Sequence, residues 1–348
     1  MTEVVERRID VGDLTIRAVE AGDGPLVLMV HGFPGLAYSW RHQMLPLAKA
    51  GFRAVAIDSP GYGGSDRPLE QEFYTASKMQ EYLLRILDFY GAEQAFILGQ
   101  DFGAQYAWNM AARSPERVRG LVATIPYDYD LAGRALLGSK SILNPSDPTP
   151  PESAHPDRLP SERFAAMATD HFVHFHYFQS VGPAERELGN NIAEYLRRSF
   201  WSLSSEGNLW AWKAVSSAGS GYLDALPPAQ SLPWKWMSEA EFQTFVDGYD
   251  HPDVMRRFIG GLNSYRTADA NWVDGLKWAD TDVTVPTLFV YGDKDPSFGF
   301  FADWEERMRR RVPGLREIIA LEGAGHMVQQ EDPEGFNAAI LPFLKALA

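Results

Sequence analysis

Two short stretches of this sequence carry residue types suited to covalent chemistry, and a third supplies a base. In FILGQDFGAQYAW, residues 96–108, an apolar run ends in Gly99-Gln100-Asp101-Phe102-Gly103 and passes into a helical pattern. Small residues two positions either side of a tip are what a sharp strand-to-helix turn requires, because no Cβ fits beside a side chain raised there. A carboxylate at that tip, Asp101, is ionised at neutral pH and needs no base to activate it. It can therefore attack an electrophilic saturated carbon directly and form an alkyl ester. An Asp after a strand is also an ordinary helix N-cap, so this motif by itself leaves structure and chemistry both open.

The second stretch, LVLMVHGFPG, reads as a buried strand ending in His31-Gly32-Phe33-Pro34. With an elbow downstream, the loop after such a strand and the residue after the nucleophile each offer a backbone N–H to a developing oxyanion, which assigns Phe33 and Phe102. The plainer reading is a Gly-Pro turn. The third, LEGAGHMVQQEDPE, puts His326 in a Gly-flanked loop after a late strand, where a general base belongs in the chain order nucleophile, acid, base. YGDKDP offers Asp293 and Asp295 as the acid. Asp295 is preferred, because its spacing from Gly292 carries the carboxylate clear of the strand end, and Asp293 is left as a loop cap. Oriented by Asp295, His326 would draw a proton from water as that water attacks the Asp101 ester, while the Phe33 and Phe102 amides hold the oxyanion.

These side chains need a scaffold that brings distant segments to one edge. Short apolar runs at Val4–Ile9, Leu14–Val19, Leu26–Val30, Arg53–Ile57, Gln94–Leu98 and Val118–Thr124 alternate with helical patterns, as in a mostly parallel sheet covered by helices. Between them, Ser77–Tyr90 places Met79, Leu83, Leu84, Leu87 and Tyr90 at three- and four-residue steps and stops at Gly91, the pattern of an amphipathic helix with a glycine cap. Strand and helix patterns return late, in VPTLFVYGDKD, LREIIALEG and EGFNAAILPFLKAL. The expected fold is α/β, with a core over 1–127 and 281–348. Residues 128–280 would be a linker loop and a mainly helical lid above the carboxyl ends of the strands, where open sheets place their sites. The linker, NPSDPTPPESAHPDRLP, has six Pro in seventeen residues, which forbids regular structure. The lid is aromatic: seven of the ten Trp lie between Trp201 and Trp278.

Bulk properties exclude several function classes. The formal charge of -14 opposes binding to nucleic acid or to an anionic membrane surface. With no Cys, disulfide and thiolate chemistry are absent. No apolar run approaches the ~20 residues needed to span a bilayer, and MTEVVERRID lacks the apolar centre of a signal peptide, so a cytoplasmic location is expected. No cofactor motif is evident, and a homo-oligomer is compatible with the sequence.

HGFPGLAYSWRHQM, DSPGYGGSDRP, GQDFGAQ and GAGHMVQQEDPE together resemble the soluble epoxide hydrolases of the α/β-hydrolase superfamily, over nearly the whole chain. The resemblance implies opening of an apolar epoxide by Asp101, release of a diol, and two acidic donors from the lid, usually a pair of Tyr. GLNSYRTADANW is similar to the lid motif that carries the second, which assigns Tyr265. HFHYFQSVGPAEREL is similar to the first but sets His174 where the family more often has Tyr, with Tyr177 as the fallback donor. An imidazole N–H can still donate, and its ordinary pKa of ~6.5 predicts a ring-opening step that titrates near neutrality. His171, His174 and His176 do not share a helix face and find no matching carboxylate, so a metal site is not expected.

Two alternatives stand beside this reading. A haloalkane dehalogenase would use the same Asp, but such enzymes usually carry Trp after the nucleophile as a halide donor, and Phe102 has no side-chain N–H. Fluoroacetate dehalogenases place Arg just beyond the nucleophile, and DFGAQYAW has none. A non-catalytic binding protein could share the fold.

Overall fold

The computed structural model describes residues 3–127, 159–278, 281–300 and 304–348. Most of the Pro-rich stretch, 144–158, lies outside the described residues; its last two, Leu159 and Pro160, lead into a helix. No helix among the described residues is long and apolar enough to cross a membrane.

Eight strands form one sheet: β1 (Val5–Asp10), β2 (Thr15–Ala21), β3 (Leu26–Val30), β4 (Arg53–Ile57), β5 (Ala95–Gly99), β6 (Val118–Ala123), β7 (Thr287–Gly292) and β8 (Leu315–Leu321). Their spatial order is β1-β2-β4-β3-β5-β6-β7-β8. β2 pairs antiparallel with both β1 and β4, and every other pairing is parallel. The central strands β3 and β5 are buried along their whole length, which is why they read as unbroken apolar runs. Alternate side chains go to opposite faces: Leu26, Leu28 and Val30 join one core cluster, Val27 and Met29 the other.

Helices cover both faces. α1 (Arg41–Lys49) contributes Met44 and Leu47 to the Val27–Met29 side. α2 (Ala76–Phe89) and α3 (Phe102–Arg113) cover the other. α2 buries Met79, Tyr82, Leu83, Ile86 and Leu87, while Leu84 and Tyr90, expected on that stripe, lie half-buried at its margin. Gly91 ends the helix at φ 64°.

Between β6 and β7 the described residues contain no strand of the sheet. They form α4 (Pro160–Met167), α5 (His174–Tyr177), α6 (Pro183–Asn190), α7 (Ile192–Leu203), α8 (Tyr222–Ala225), α9 (Glu239–Tyr249), α10 (Ile259–Arg266) and α11 (Ala268–Gly275). Phe178, Leu188, Phe200, Phe245 and Leu262 from this segment share one core cluster with α2 and α3. The chain ends in α12 (Trp304–Arg311), α13 (Val328–Glu331) and α14 (Pro333–Leu347), and Phe336, Ile340 and Leu344 of α14 return to the α1 side.

One buried ion pair ties the helical segment together. Arg266 Nη1 lies 2.8 Å from Glu185 Oε1, with both side chains almost fully enclosed. The same guanidinium donates to the carbonyls of Phe178 at 2.7 Å and Ser180 at 3.0 Å, while Glu185 Oε2 accepts the Gly182 N–H at 2.7 Å. The planar fork thus fixes 178–185 against α10. Replacing Arg266 by Met strands a buried carboxylate and should cost about 3–5 kcal/mol in urea unfolding. Replacing Arg309, which pairs with Glu305 on an exposed face of α12, should cost under ~1 kcal/mol. Equal losses would show that burial does not set the strength of the Arg266 clamp.

Candidate active site

Because β3 and β5 to β8 run parallel, their carboxyl ends share one edge, and the three motif segments meet there. Asp101 stands at the turn between β5 and α3 with φ 53° and ψ -122°, the one non-glycine residue with positive φ among the described residues. That backbone costs of order 1–3 kcal/mol and persists only where packing overdetermines it. Close approach of α3 to the end of β3 does so: a Cβ on Gly103 would stand 2.1 Å from the Val30 carbonyl oxygen.

The two Asp101 oxygens have different surroundings. Oδ1 accepts the Phe33 N–H at 2.8 Å. Oδ2 lies 3.5 Å from His326 Nε2. Phe102 is the first residue of α3, where a helix leaves its N–H groups without intrahelical partners. His326 Nδ1 is 2.9 Å from Asp295 Oδ2, and Asp295 Oδ1 accepts the Ser297 N–H at 2.8 Å. Asp293 turns elsewhere and takes the Gly323 N–H at 2.7 Å. The His326 loop is held by Glu331, which accepts the N–H groups of Gly325 at 2.9 Å, Met327 at 3.1 Å and Ser205 at 3.1 Å. His31 lies behind this assembly: its Nδ1–H donates to the Gly32 carbonyl at 2.7 Å and its Nε2 accepts the Ser59 N–H at 3.0 Å.

Burial lowers the pKa of His326, but Asp295 and then Asp101 outweigh it and raise the value to about 10. At neutral pH the resting site holds an imidazolium between two carboxylates. Neutralising Asp101 would remove one of the two charges that hold the proton and so lower the His326 pKa.

A cavity borders Asp101 and His326 and is walled by Phe33, His174, Phe178, Tyr222 and Tyr265. Tyr265 packs edge-on against Phe102, with ring centroids 4.9 Å apart. α10 approaches the core closely enough that a Cβ on Gly261 would stand 2.2 Å from the Phe33 ring. His174 is buried, its Nδ1 has no hydrogen-bond partner, and its ring lies 5.6 Å from that of Tyr265. Burial lowers its pKa to about 3 against the opposing pull of Asp101. The expectation that His174 changes charge near neutrality is therefore corrected: desolvation keeps it neutral well below pH 6, and it can offer a hydrogen bond but no titration there. Tyr177 does not line the cavity; its hydroxyl donates to Glu187 Oε2 at 2.7 Å. His171 packs edge-on against Trp212, His176 is exposed, and no group of three or more metal-ligating side chains occurs among the described residues.

Tyr222 was not found by sequence reasoning. It lies in a segment without a motif, and nothing but its aromatic type singled it out.

Residues 25–333 match the family described as alpha/beta hydrolase fold. The chain is 34% identical over 345 residues to epoxide hydrolase A of Mycobacterium tuberculosis, covering 98% of each chain. The crystal structure of epoxide hydrolase A from Mycobacterium thermoresistibile superposes with a TM-score of 0.82 at 35% identity, over 99% of this chain and 98% of that one. An epoxide hydrolase from an endophytic Streptomyces superposes with a TM-score of 0.83 at 30% identity, over 100% and 97%.

Two outcomes are expected from this geometry. Gly103→Ala should lower stability by several times the ~1–2 kcal/mol expected for Gly91→Ala, where positive φ is the only obstacle and nothing lies within 4 Å; similar melting shifts for the two would deny the close contact at the elbow. In NMR titration, His326 should hold its proton up to about pH 10. In Asp101→Asn it should release the proton at clearly lower pH, and an unchanged midpoint would show that Asp101 does not hold the imidazolium.

Proposed function

The chain belongs to the α/β-hydrolase fold family, among its epoxide hydrolases, and from that premise we propose that it converts a small apolar epoxide and water to a vicinal diol through an alkyl ester on Asp101. The observation that carries this reading is one carboxylate with an amide N–H on Oδ1 at 2.8 Å and the triad imidazole 3.5 Å from Oδ2. Residues 1–127 and 281–348 form the catalytic core in this reading, and 128–280 form the linker and lid.

Oδ2 attacks a ring carbon of the epoxide, the C–O bond breaks, and its electron pair remains on the oxygen, which accepts hydrogen bonds from the Tyr265 hydroxyl and the His174 N–H. Since His174 Nδ1 is buried without a partner, Nε2 is the nitrogen suited to carry that hydrogen. Esterification discharges Asp101, and His326 releases its proton to solvent and becomes a base, regaining one from solvent when the Asp101 carboxylate returns. Water then attacks the ester carbonyl as His326 takes its proton, and the oxyanion forms on Oδ1, where the Phe33 amide already donates and the Phe102 amide is placed to join it.

The leaving group separates this from the dehalogenase alternative. Neither Trp nor Arg is among the described residues lining the cavity, so a halide would find no indole N–H and a substrate carboxylate no guanidinium there.

The reading is tested by the intact mass of His326→Gln after incubation with an aryl epoxide and, separately, with a 1-haloalkane. A gain equal to the whole epoxide, abolished by Asp101→Asn, is expected. A gain equal to an alkyl group without its halide would replace the reading with the dehalogenase one, and no adduct from either would favour a non-catalytic binding protein.

A further inference from the structure

Glu187 holds the start of α8 in place. Its carboxylate accepts the backbone N–H of Tyr222 at 3.0 Å and that of Leu223 at 2.9 Å, as well as the Tyr177 hydroxyl. The Tyr177 side chain, which the sequence offered as a spare donor, is thus part of the mount that positions Tyr222.

The Tyr222 ring is 6% exposed and tightly bracketed. It lies nearly parallel to His174, with centroids 5.4 Å apart and planes at 17°, and to Phe172, at 5.9 Å and 10°. Phe178 meets it edge-on at 5.2 Å. It borders the same cavity as Asp101, His174 and Tyr265, and its hydroxyl makes no hydrogen bond with a described residue. Unlike the buried Nδ1 of His174, this hydroxyl is not sealed off, and it can donate to a ligand oxygen in the cavity. Burial and the nearby Asp101 charge raise its pKa, so it remains protonated and able to donate.

We propose that Tyr222 is a further catalytic residue of the ring-opening step, donating its hydroxyl to the epoxide oxygen beside Tyr265 and supplying the proton that His174 does not give. This rests on the epoxide-hydrolase reading above. A neutral imidazole can lend its one N–H to a hydrogen bond, but surrendering it would leave an imidazolate, a stronger base than a phenolate. With Tyr222 the step balances. The Asp101–carbon bond forms, the carbon–oxygen bond breaks, and the oxygen takes the Tyr222 proton to become the first hydroxyl. The phenolate left behind borders the cavity that Tyr265 and His174 also line. Hydrolysis consumes one water: one of its protons passes through His326 to the second hydroxyl, and the other restores Tyr222.

The test follows ester formation by rapid-quench intact mass in a His326→Gln background, for the parent and for Tyr222→Phe and Tyr265→Phe. The probes are 1,2-epoxybutane and its 4,4,4-trifluoro analogue, whose alkoxide is less basic and needs a proton less. Phe keeps the ring packing, and an unchanged melting temperature checks that it does. Tyr222→Phe should slow the maximal rate with epoxybutane by about 10²-fold, with a smaller loss for the trifluoro epoxide. An unchanged maximal rate, an effect confined to the half-saturating concentration, or equal slowing of both epoxides would overturn the donor role. Failure of the His326→Gln parent to gain the mass of either epoxide would instead overturn the epoxide reading, and the donor role with it.

Discussion

The site depends on how closely α3 is pressed against the end of β3. With Gly103 facing the Val30 carbonyl, there is no room for a side chain, and the chain must turn at Asp101 through a backbone that residues other than glycine rarely adopt. The turn lifts the carboxylate away from the helix it would otherwise cap, and no capping bond from Asp101 is made. It also brings Oδ1 to the Phe33 amide at the end of the adjacent strand. The strain is local, and the cores on both faces of the sheet sustain it.

The chain uses one residue type in three ways, and surroundings alone separate them. His326 is buried between two carboxylates and holds its proton; His174 is buried among aromatic rings and cannot gain one; His31 is buried, kept from protonation by desolvation, and spends both nitrogens on backbone groups. Desolvation disfavours the imidazolium in all three, and only a carboxylate in direct contact overturns it. The imidazole that holds its proton thus lies in the core, while His174 in the helical segment stays neutral.

The lid owes its order to buried polar bonds as well as to aromatic packing. Arg266 joins the two sequence motifs that carry His174 and Tyr265, and Glu187 joins the first of them to the start of α8. Both carboxylates lie within AEREL, on α6. A single helix turn therefore aligns three ring-bearing segments around the cavity that holds Asp101.

The sequence by itself determined the parallel core, from unbroken apolar runs separated by helical patterns, and pointed to Asp101, Asp295 and His326, because glycine-flanked turns and chain order are local properties. Strand limits shift by only a residue or two at several ends, since propensity does not mark the last ladder bond. Tertiary structure alone decided what depends on distance and burial. His174 is held neutral because aromatic residues from several separate segments exclude water from it. Tyr177 is withdrawn from the cavity because Glu187, ten residues on, lies within reach of its hydroxyl. Tyr222 borders the same cavity as Asp101 from a stretch with no motif at all, since helix packing rather than spacing along the chain sets which rings meet there.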